Sequence, residues 1–195
     1  MRRREFLSLN PAGTIPVLLA EGDHPIVGAT VIGEYLDETR GAFKRDKRLM
    51  AEDSIHRAEI RRLVDWYLVK TDGDVTRHLV RERALKPMMA GAQGGGAPDS
   101  AAIRAARANI AQHMKYTNWL AASRDWLAGP RMSYADIAAA ASLSILDYLG
   151  EIRWGEYEAA RDWYSRMKSR PSFRSILTDR VRGLAPASHY ADLDF

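Results

Sequence analysis

The residue types that most often carry out chemistry are sparse in this sequence. There is no cysteine, which excludes disulfides, a thiolate nucleophile and zinc sites built on thiolates. The histidines are scattered, and no two have the spacing of a metal-ligand pair. They are His24, His56, His78, His113 and His189. The sequence therefore predicts no metal site.

A glycine-rich segment is the next candidate for chemistry. Residues 91–98 contain four glycines and a proline, a composition that cannot continue a helix cheaply. A phosphate-binding loop would follow a strand and would be followed by Gly-Lys-Ser or Gly-Lys-Thr. Neither feature is present, so we interpret the segment as a flexible connection between helices.

The run Asn10-Pro11-Ala12-Gly13-Thr14-Ile15-Pro16-Val17-Leu18 places a proline at the start of an apolar stretch. Proline cannot donate to a β-ladder, so Pro16 must lie at a strand start or at a sheet edge. Most X–Pro bonds are trans. A cis bond here would turn the Ile15 backbone outward, free to pair with an extended ligand.

Ser133 and Asp136 have the spacing of a helix capping box, with Asp in place of the usual Glu or Gln. They open an apolar helix, whose buried start needs its free N–H groups satisfied within the protein. We therefore assign this pair a structural role rather than a catalytic one. Loss of such a cap costs about 1 kcal/mol.

The first forty residues carry the strand signal. Residues 15–20 and 24–27 are short apolar runs separated by a Glu-Gly-Asp turn, which predicts a hairpin. A helix follows from Thr30 to Arg40, with Thr30 as its cap and Gly41 at its end.

Everything after residue 46 has helical periodicity or loop composition. Helices are predicted over 47–83, 101–122, 133–150 and 157–169, and Pro171 opens a short final helix. The helix at 133–150 is apolar on almost every face, as expected at the centre of a bundle. We expect the tryptophans to pack in the core rather than stack on a ligand. They are Trp66, Trp119, Trp126, Trp154 and Trp163.

The composition is that of an ordinary globular protein, with 46% hydrophobic and 28% charged residues. The sequence has no apolar run long enough to span a membrane and no signal peptide, which together with the lack of cysteine favours the cytoplasm. The net charge of +4 permits an acidic partner without naming one. A basic cluster is either a solvated linker or a contact for an acidic filament. It consists of Arg40, Lys44, Arg45, Lys47 and Arg48.

The order of these motifs resembles the glutathione transferase superfamily. The residues that carry the resemblance are the run from Asn10 to Leu18, Ala29-Thr30-Val31-Ile32-Gly33-Glu34-Tyr35-Leu36, and Leu127-Ala128-Gly129 before Ser133-Tyr134-Ala135-Asp136. The resemblance implies an α+β, predominantly helical fold with a truncated thioredoxin-like N-terminal domain and an all-α C-terminal domain. It also implies that Pro16 is cis and that Ile15 marks the edge where the family binds the cysteinyl part of glutathione.

Two departures from the family pattern bear on activity. The strand–helix–strand that carries the family's catalytic Ser, Tyr or Cys is absent, so no catalytic residue is carried over. The family's acidic residue and serine, which hold the γ-glutamyl end of glutathione, are replaced by Gly28 and Ala29. The remnant of the glutathione site is thus Ile15, Pro16, Gly28 and Ala29, and we expect no cofactor. Without its neighbouring strands the hairpin has an open edge, so we expect a mobile N-terminal region or poor solubility.

Within the superfamily, the sequence is most similar to division proteins that bind FtsZ filaments. This resemblance rests on residues 102–109, 147–150, 163–174 and 189–195. It implies a non-catalytic, cytoplasmic homodimer that binds FtsZ or another protein at the division site, with no nucleic acid partner. The implied partner-binding residues are Arg104 and Arg107 on a basic helix and Tyr190, Asp192, Leu193, Asp194 and Phe195 in the tail.

The alternative is a working glutathione transferase whose N-terminal active-site segment is missing from this chain; glutathione would then be its ligand. In both cases we expect a partial thioredoxin-like domain over residues 1–43, an all-helical domain over 47–180 and a tail over 181–195.

Overall fold

The computed structural model describes residues 4–41 and 48–194. The chain divides into two compact units, Met1–Asp53 and Ser54–Phe195. Among the described residues, none of the helices is both long enough and apolar enough to cross a bilayer.

The N-terminal unit contains α1 (Arg4–Leu9), β1 (Val17–Leu19), β2 (Pro25–Val27) and α2 (Ala29–Arg40). The strands pair antiparallel with Val17 opposite Val27, which confirms the predicted hairpin. The Asn10 side chain shapes the turn before β1, because its Nδ2 donates to the Thr14 carbonyl at 2.7 Å and its Oδ1 accepts the Ala12 N–H at 3.2 Å. The Asn-Pro-Ala-Gly motif is thus a turn motif.

The start of α2 corrects the sequence prediction. Thr30 is not the cap: the helix begins at Ala29, and Gly28 occupies the cap position with φ 94° and no side-chain capping bond. Glycine adopts this positive φ without steric cost, whereas a residue with a Cβ is strained there. The predicted end is confirmed, since the Gly41 N–H donates to the carbonyls of Leu36 and Asp37.

The buried Asp37 side chain holds the segment at residues 48–50 against α2. It accepts the Leu49 N–H at 2.6 Å and the Met50 N–H at 3.2 Å, and the Arg48 guanidinium lies 3.3 Å away. Arg48 therefore forms an ion pair within this unit. Arg40 is exposed, and the other members of the basic cluster, Lys44, Arg45 and Lys47, lie outside the described residues.

The second unit is helical. Its elements are α3 (Ser54–Asp65), α4 (Arg77–Val80), α5 (Ser100–Ser123), α6 (Tyr134–Tyr148), α7 (Glu158–Lys168) and α8 (Pro171–Arg174). The first predicted helix thus starts at Ser54 rather than near residue 47. Three π-helical turns, Trp66–Lys70, Asp72–Thr76 and Arg81–Leu85, continue the helix around α4. In a π-turn the hydrogen bonds link residues five apart instead of four, so later residues lie on a different face of the helix. Apolar periodicity did not predict this change.

The α6 helix lies at the centre of this unit. Ala135, Ala139 and Leu143 are fully buried, in agreement with the prediction of a central helix. Ile137 and Ile145 are 36% and 40% exposed, so α6 is not covered on every side.

Asp136 is fully buried at the start of α6 and holds three segments together. Its Oδ2 accepts the Ser133 N–H at 2.9 Å and the Ser133 hydroxyl at 3.1 Å. Its Oδ1 accepts the Leu127 N–H and the Trp163 indole N–H, both at 2.9 Å. One carboxylate thereby fixes the start of α6, the preceding loop and the middle of α7.

We predict that Asp136→Ala lowers the free energy of unfolding by about 3 kcal/mol, because it leaves several buried donors without an acceptor. Urea unfolding followed by circular dichroism measures this change. Asp162→Ala is the matched control, since that carboxylate is 72% exposed on α7 and its loss should change stability by less than about 0.5 kcal/mol. Equal midpoints for the two variants would contradict the prediction.

Candidate functional site

The residues of the expected glutathione-site remnant lie together at the hairpin. The Ile15–Pro16 bond is cis, as the resemblance implies, and the Pro16 carbonyl accepts the Gly28 N–H at 3.0 Å. The Ile15 side chain is 83% exposed. Ala29 is the first residue of α2.

This remnant offers no side chain that could bind a charged ligand. Gly28 faces open space, since a Cβ built there would meet no heavy atom within 4 Å. The Ala29 side chain is a methyl group, which cannot bond a carboxylate or an ammonium. Among the described residues there is also no group of three or more His, Asp or Glu residues that could hold a metal ion. What the remnant can supply is backbone pairing alone.

The tail that follows α8 is held against the end of α6. The Tyr148 hydroxyl accepts the Val181 N–H at 2.9 Å and donates to the Leu184 carbonyl at 2.7 Å. The Leu184 N–H donates to the Val181 carbonyl at 3.1 Å, and the Ala187 N–H donates to the Tyr148 carbonyl at 2.9 Å. A single tyrosine therefore anchors two points of the tail.

A buried carboxylate one residue earlier anchors a third point. Asp147 Oδ1 lies 2.9 Å from His189 Nε2 and accepts the Trp154 indole N–H at 2.8 Å, while Lys168 Nζ lies 3.7 Å from Oδ2. Burial raises the pKa of Asp147, and burial lowers the pKa of Lys168, because both side chains are cut off from solvent. The Lys168 ammonium is also within 3.5 Å of the His189 carbonyl.

Tyr190 does not lie where a partner could reach it. Its side chain is 3% exposed, and its ring packs edge-on against Tyr148 with centroids 5.1 Å apart. Tyr190 is thus an anchor of the tail, which corrects its assignment to the partner-binding set. Asp192 and Asp194 are exposed and Leu193 is half-buried. Phe195 lies outside the described residues.

The two basic residues of α5 have different environments. The Nε and Nη2 groups of Arg107 donate to the two oxygens of the Glu151 carboxylate, at 2.6 and 2.9 Å. Arg83 donates to the same carboxylate and, at 2.6 Å, to the Leu149 carbonyl. Burial alone would raise the pKa of Glu151, but the two guanidinium groups lower it below its usual value. Arg104 is exposed, and no ion pair involving it is seen among the described residues.

The turn after α6 connects the basic helix with the tail. Glu151 binds Arg107, and a Cβ built on the adjacent Gly150 would lie 3.4 Å from the Cβ of Ala187. Of the residues that the sequence assigned to partner binding, this turn contacts Arg107, and it contacts the tail at Ala187. Arg107 is bound to Glu151, although its side chain remains 55% exposed. Arg104 and the acidic end of the tail are also exposed.

The structure also contains an aromatic surface that the sequence analysis missed. Trp119 is 57% exposed, which corrects its assignment to the core. Its ring stacks at 6.1 Å on Tyr116, whose ring lies 4.5 Å from that of Trp66. Arg62 and Arg124 lie over these rings at 5.8 Å. We call these five residues the aromatic strip. The sequence could have indicated this surface, because residues 116 and 119, three apart on α5, lie on the same helix face.

The family model for the N-terminal domain of glutathione S-transferases matches residues 1–39, and the model for their C-terminal domain matches residues 93–171. FtsZ-localized protein A from Caulobacter vibrioides is 46% identical over 98% of this chain and 82% of its own length. The chain belongs to the glutathione S-transferase family.

Solved structures of this family match the whole chain. A glutathione S-transferase from Sinorhizobium meliloti 1021 is 62% identical with a TM-score of 0.94, over 99% of this chain and 84% of that one. FzlA from C. crescentus is 44% identical with a TM-score of 0.86, over 99% of this chain and 83% of that one. The predominantly helical fold predicted from the sequence is that of the glutathione S-transferase family.

We predict that Tyr148→Phe releases the tail of this glutathione S-transferase family member while leaving α6 folded. The substitution removes one hydroxyl, which leaves the Val181 N–H and the Leu184 carbonyl without their shared partner. Hydrogen exchange should accelerate at Val181 and Ala187, with the amides of α6 unchanged. Tyr157→Phe is the control, since Tyr157 is similarly buried and lies outside the tail contacts. Unchanged exchange at Val181 would show that the hydroxyl does not hold the tail.

Proposed function

We propose that this chain is a non-catalytic member of its family that binds FtsZ filaments in the cytoplasm at the division site. The observation that supports this most strongly is the 46% identity to FtsZ-localized protein A over nearly the whole chain. The replacement of the glutathione anchor by Gly28 and Ala29 points the same way. A site built on polar pairing that loses both partners retains little to select its ligand.

The tail and the basic helix have the properties of a protein-binding surface. Three anchors, Tyr148, Asp147 and Tyr190, order the tail before a partner arrives, which lowers the entropic cost of association. Beyond them lie the exposed carboxylates of Asp192 and Asp194. Arg104 supplies an exposed positive charge, so that the surface can pair with both signs of charge on a filament.

We predict that truncation after Ala191 weakens co-sedimentation with FtsZ filaments by roughly tenfold, because it removes the acidic end of the tail. The truncation keeps His189 and Tyr190, so the anchors remain intact. Glu158→Gln, an exposed carboxylate on α7, is the control and should bind like the full chain. Unchanged co-sedimentation of the truncated protein would remove the tail from the proposal.

We also propose that the chain forms a homodimer through the aromatic strip. Trp119 and Val69 are each 57% exposed, and an exposed aromatic group rimmed by polar residues marks a protein contact surface. The Trp66 indole N–H is buried and has no hydrogen-bond partner among the described residues. That donor is closed off within the chain, so the proposed interface rests on the exposed Trp119 ring and its neighbours in the aromatic strip.

We predict that Trp119→Glu converts a dimer into a monomer, since it places a charge at the centre of an apolar contact. Light scattering coupled to size exclusion measures the mass. Val181→Glu changes another exposed apolar residue, in the tail, and should remain dimeric. A monomeric unmodified protein, or a dimeric Trp119→Glu variant, would contradict the proposed interface.

The second candidate function is glutathione conjugation. It is favoured by the similarity to the Sinorhizobium meliloti glutathione S-transferase, at 62% identity, and by the cis Ile15–Pro16 bond beside the exposed Ile15. Retention on immobilised glutathione together with turnover of an electrophile would establish this function. Absence of both, with filament binding retained, would support the first proposal.

A further inference from the structure

Residues 86–98 form a loop that exposes an apolar surface between α4 and α5. Leu85, Met88 and Met89 are 47%, 53% and 37% exposed, and Pro87 and Ala90 beside them are also exposed. Large apolar side chains are usually buried, and a contiguous exposed group of them marks a contact surface. We call Leu85, Met88 and Met89 the methionine surface.

A buried carboxylate closes the base of this loop. Glu82 is 6% exposed, and its Oε2 accepts the Lys86 ammonium at 2.9 Å and the Asp99 N–H at 2.7 Å. These bonds lower the pKa of Glu82, the Asp99 N–H having the largest effect. The carboxylate therefore connects the end of the π-turn at Arg81–Leu85 with the residue that caps α5.

The loop is itself folded, although its glycine content led us to expect a flexible connection. The Gly96 N–H donates to the Lys86 carbonyl at 3.3 Å, and the N–H groups of Gln93 and Gly95 donate to the Ala90 carbonyl at 2.8 and 3.1 Å. A Cβ on Gly95 would lie 1.9 Å from the Met89 carbonyl oxygen. The glycine at 95 thus permits a close backbone approach that fixes the segment carrying the methionines.

The surroundings of the methionine surface are positively charged. The Arg81 side chain is 64% exposed, and Arg104 is exposed on the second turn of α5. The charge of Arg104 acts on Asp99, at the base of the loop, together with that of Lys86. Two acidic groups lie at the base, and both already have partners. Glu82 is buried and bound to Lys86, and the Asp99 carboxylate accepts the Ala101 and Ala102 N–H groups at the start of α5. A partner that carries negative charge beside apolar groups would complement this surface.

We propose that the methionine surface is a docking site for an acidic segment of a partner protein that also carries apolar side chains. This inference rests on the proposed function, so the partner segment belongs to the FtsZ filament. Methionine side chains are unbranched and adapt to irregular apolar surfaces, and the fixed loop presents them without an ordering cost. Membrane-surface binding instead uses the long apolar face of an amphipathic helix, which this loop lacks.

The test is co-sedimentation of the full chain with FtsZ filaments. Met88→Ser with Met89→Ser should weaken binding by roughly tenfold, as expected when two apolar anchors are lost, without moving the unfolding midpoint, because both side chains are exposed. Gly95→Ala keeps the methionine side chains but displaces the Met89 carbonyl, and it should also weaken binding. Ile55→Ser changes an apolar side chain that is 78% exposed on α3, outside the loop, the tail and the aromatic strip. It is the matched control and should bind like the unmodified chain.

The outcomes separate this inference from the proposed function. Binding by the unmodified chain with equal binding by the double methionine variant would overturn the docking site alone. An unmodified chain that does not co-sediment would overturn both proposals. Vesicles containing phosphatidylglycerol provide the last arm: binding that the double variant loses, with filament binding unchanged, would assign the surface to membranes and overturn the inference.

Discussion

The carboxylate of Asp136 has no access to solvent, so the protein itself must satisfy both of its oxygens. It does so with the start of α6, the loop before it and the Trp163 indole of α7. The same α7 carries Lys168, which reaches Asp147 at the other end of α6. Asp147 in turn holds the tail through His189. The position of the tail thus depends on a series of contacts that begins at one buried carboxylate.

The accessible features of the helical unit are arranged around this framework. The tail packs against the end of α6, and Arg104 is exposed on the second turn of α5. The aromatic strip lies on α5 and the helix that begins with α3, and the methionine surface lies at the loop between α4 and α5. The tail and the loop are each fixed by a side chain with polar contacts inside the protein, Tyr148 for the tail and Glu82 for the loop. Surfaces ordered in advance bind at a lower entropic cost. The hairpin of the other unit offers no polar side chain at Gly28 and Ala29.

Apolar periodicity and short motifs were sufficient for the hairpin, most helix boundaries and the central position of α6. They failed where tertiary contacts decide the outcome. Trp119 and Tyr190 are both aromatic, yet one is exposed and the other buried, because burial depends on which elements pack there and not on residue type. The start of α2 depends on the positive φ of Gly28. The prediction that Thr30 caps the helix relied on side-chain type and did not take backbone conformation into account. The loop at 86–98 has the composition of a flexible linker, but backbone bonds within it and the bond from the Asp99 N–H to Glu82 fold it. Its glycine content did not predict these bonds.

The central claim is that this family member binds filaments instead of glutathione. The most direct measurement is biolayer interferometry on the immobilised full chain, titrated in parallel with polymerised FtsZ and with glutathione. We predict saturable binding of the filaments and no response to glutathione at concentrations of a few millimolar. Such a titration detects binding free energies as weak as about −4 kcal/mol, which corresponds to a dissociation constant of about 1 mM. Saturable binding of glutathione without binding of filaments would contradict it.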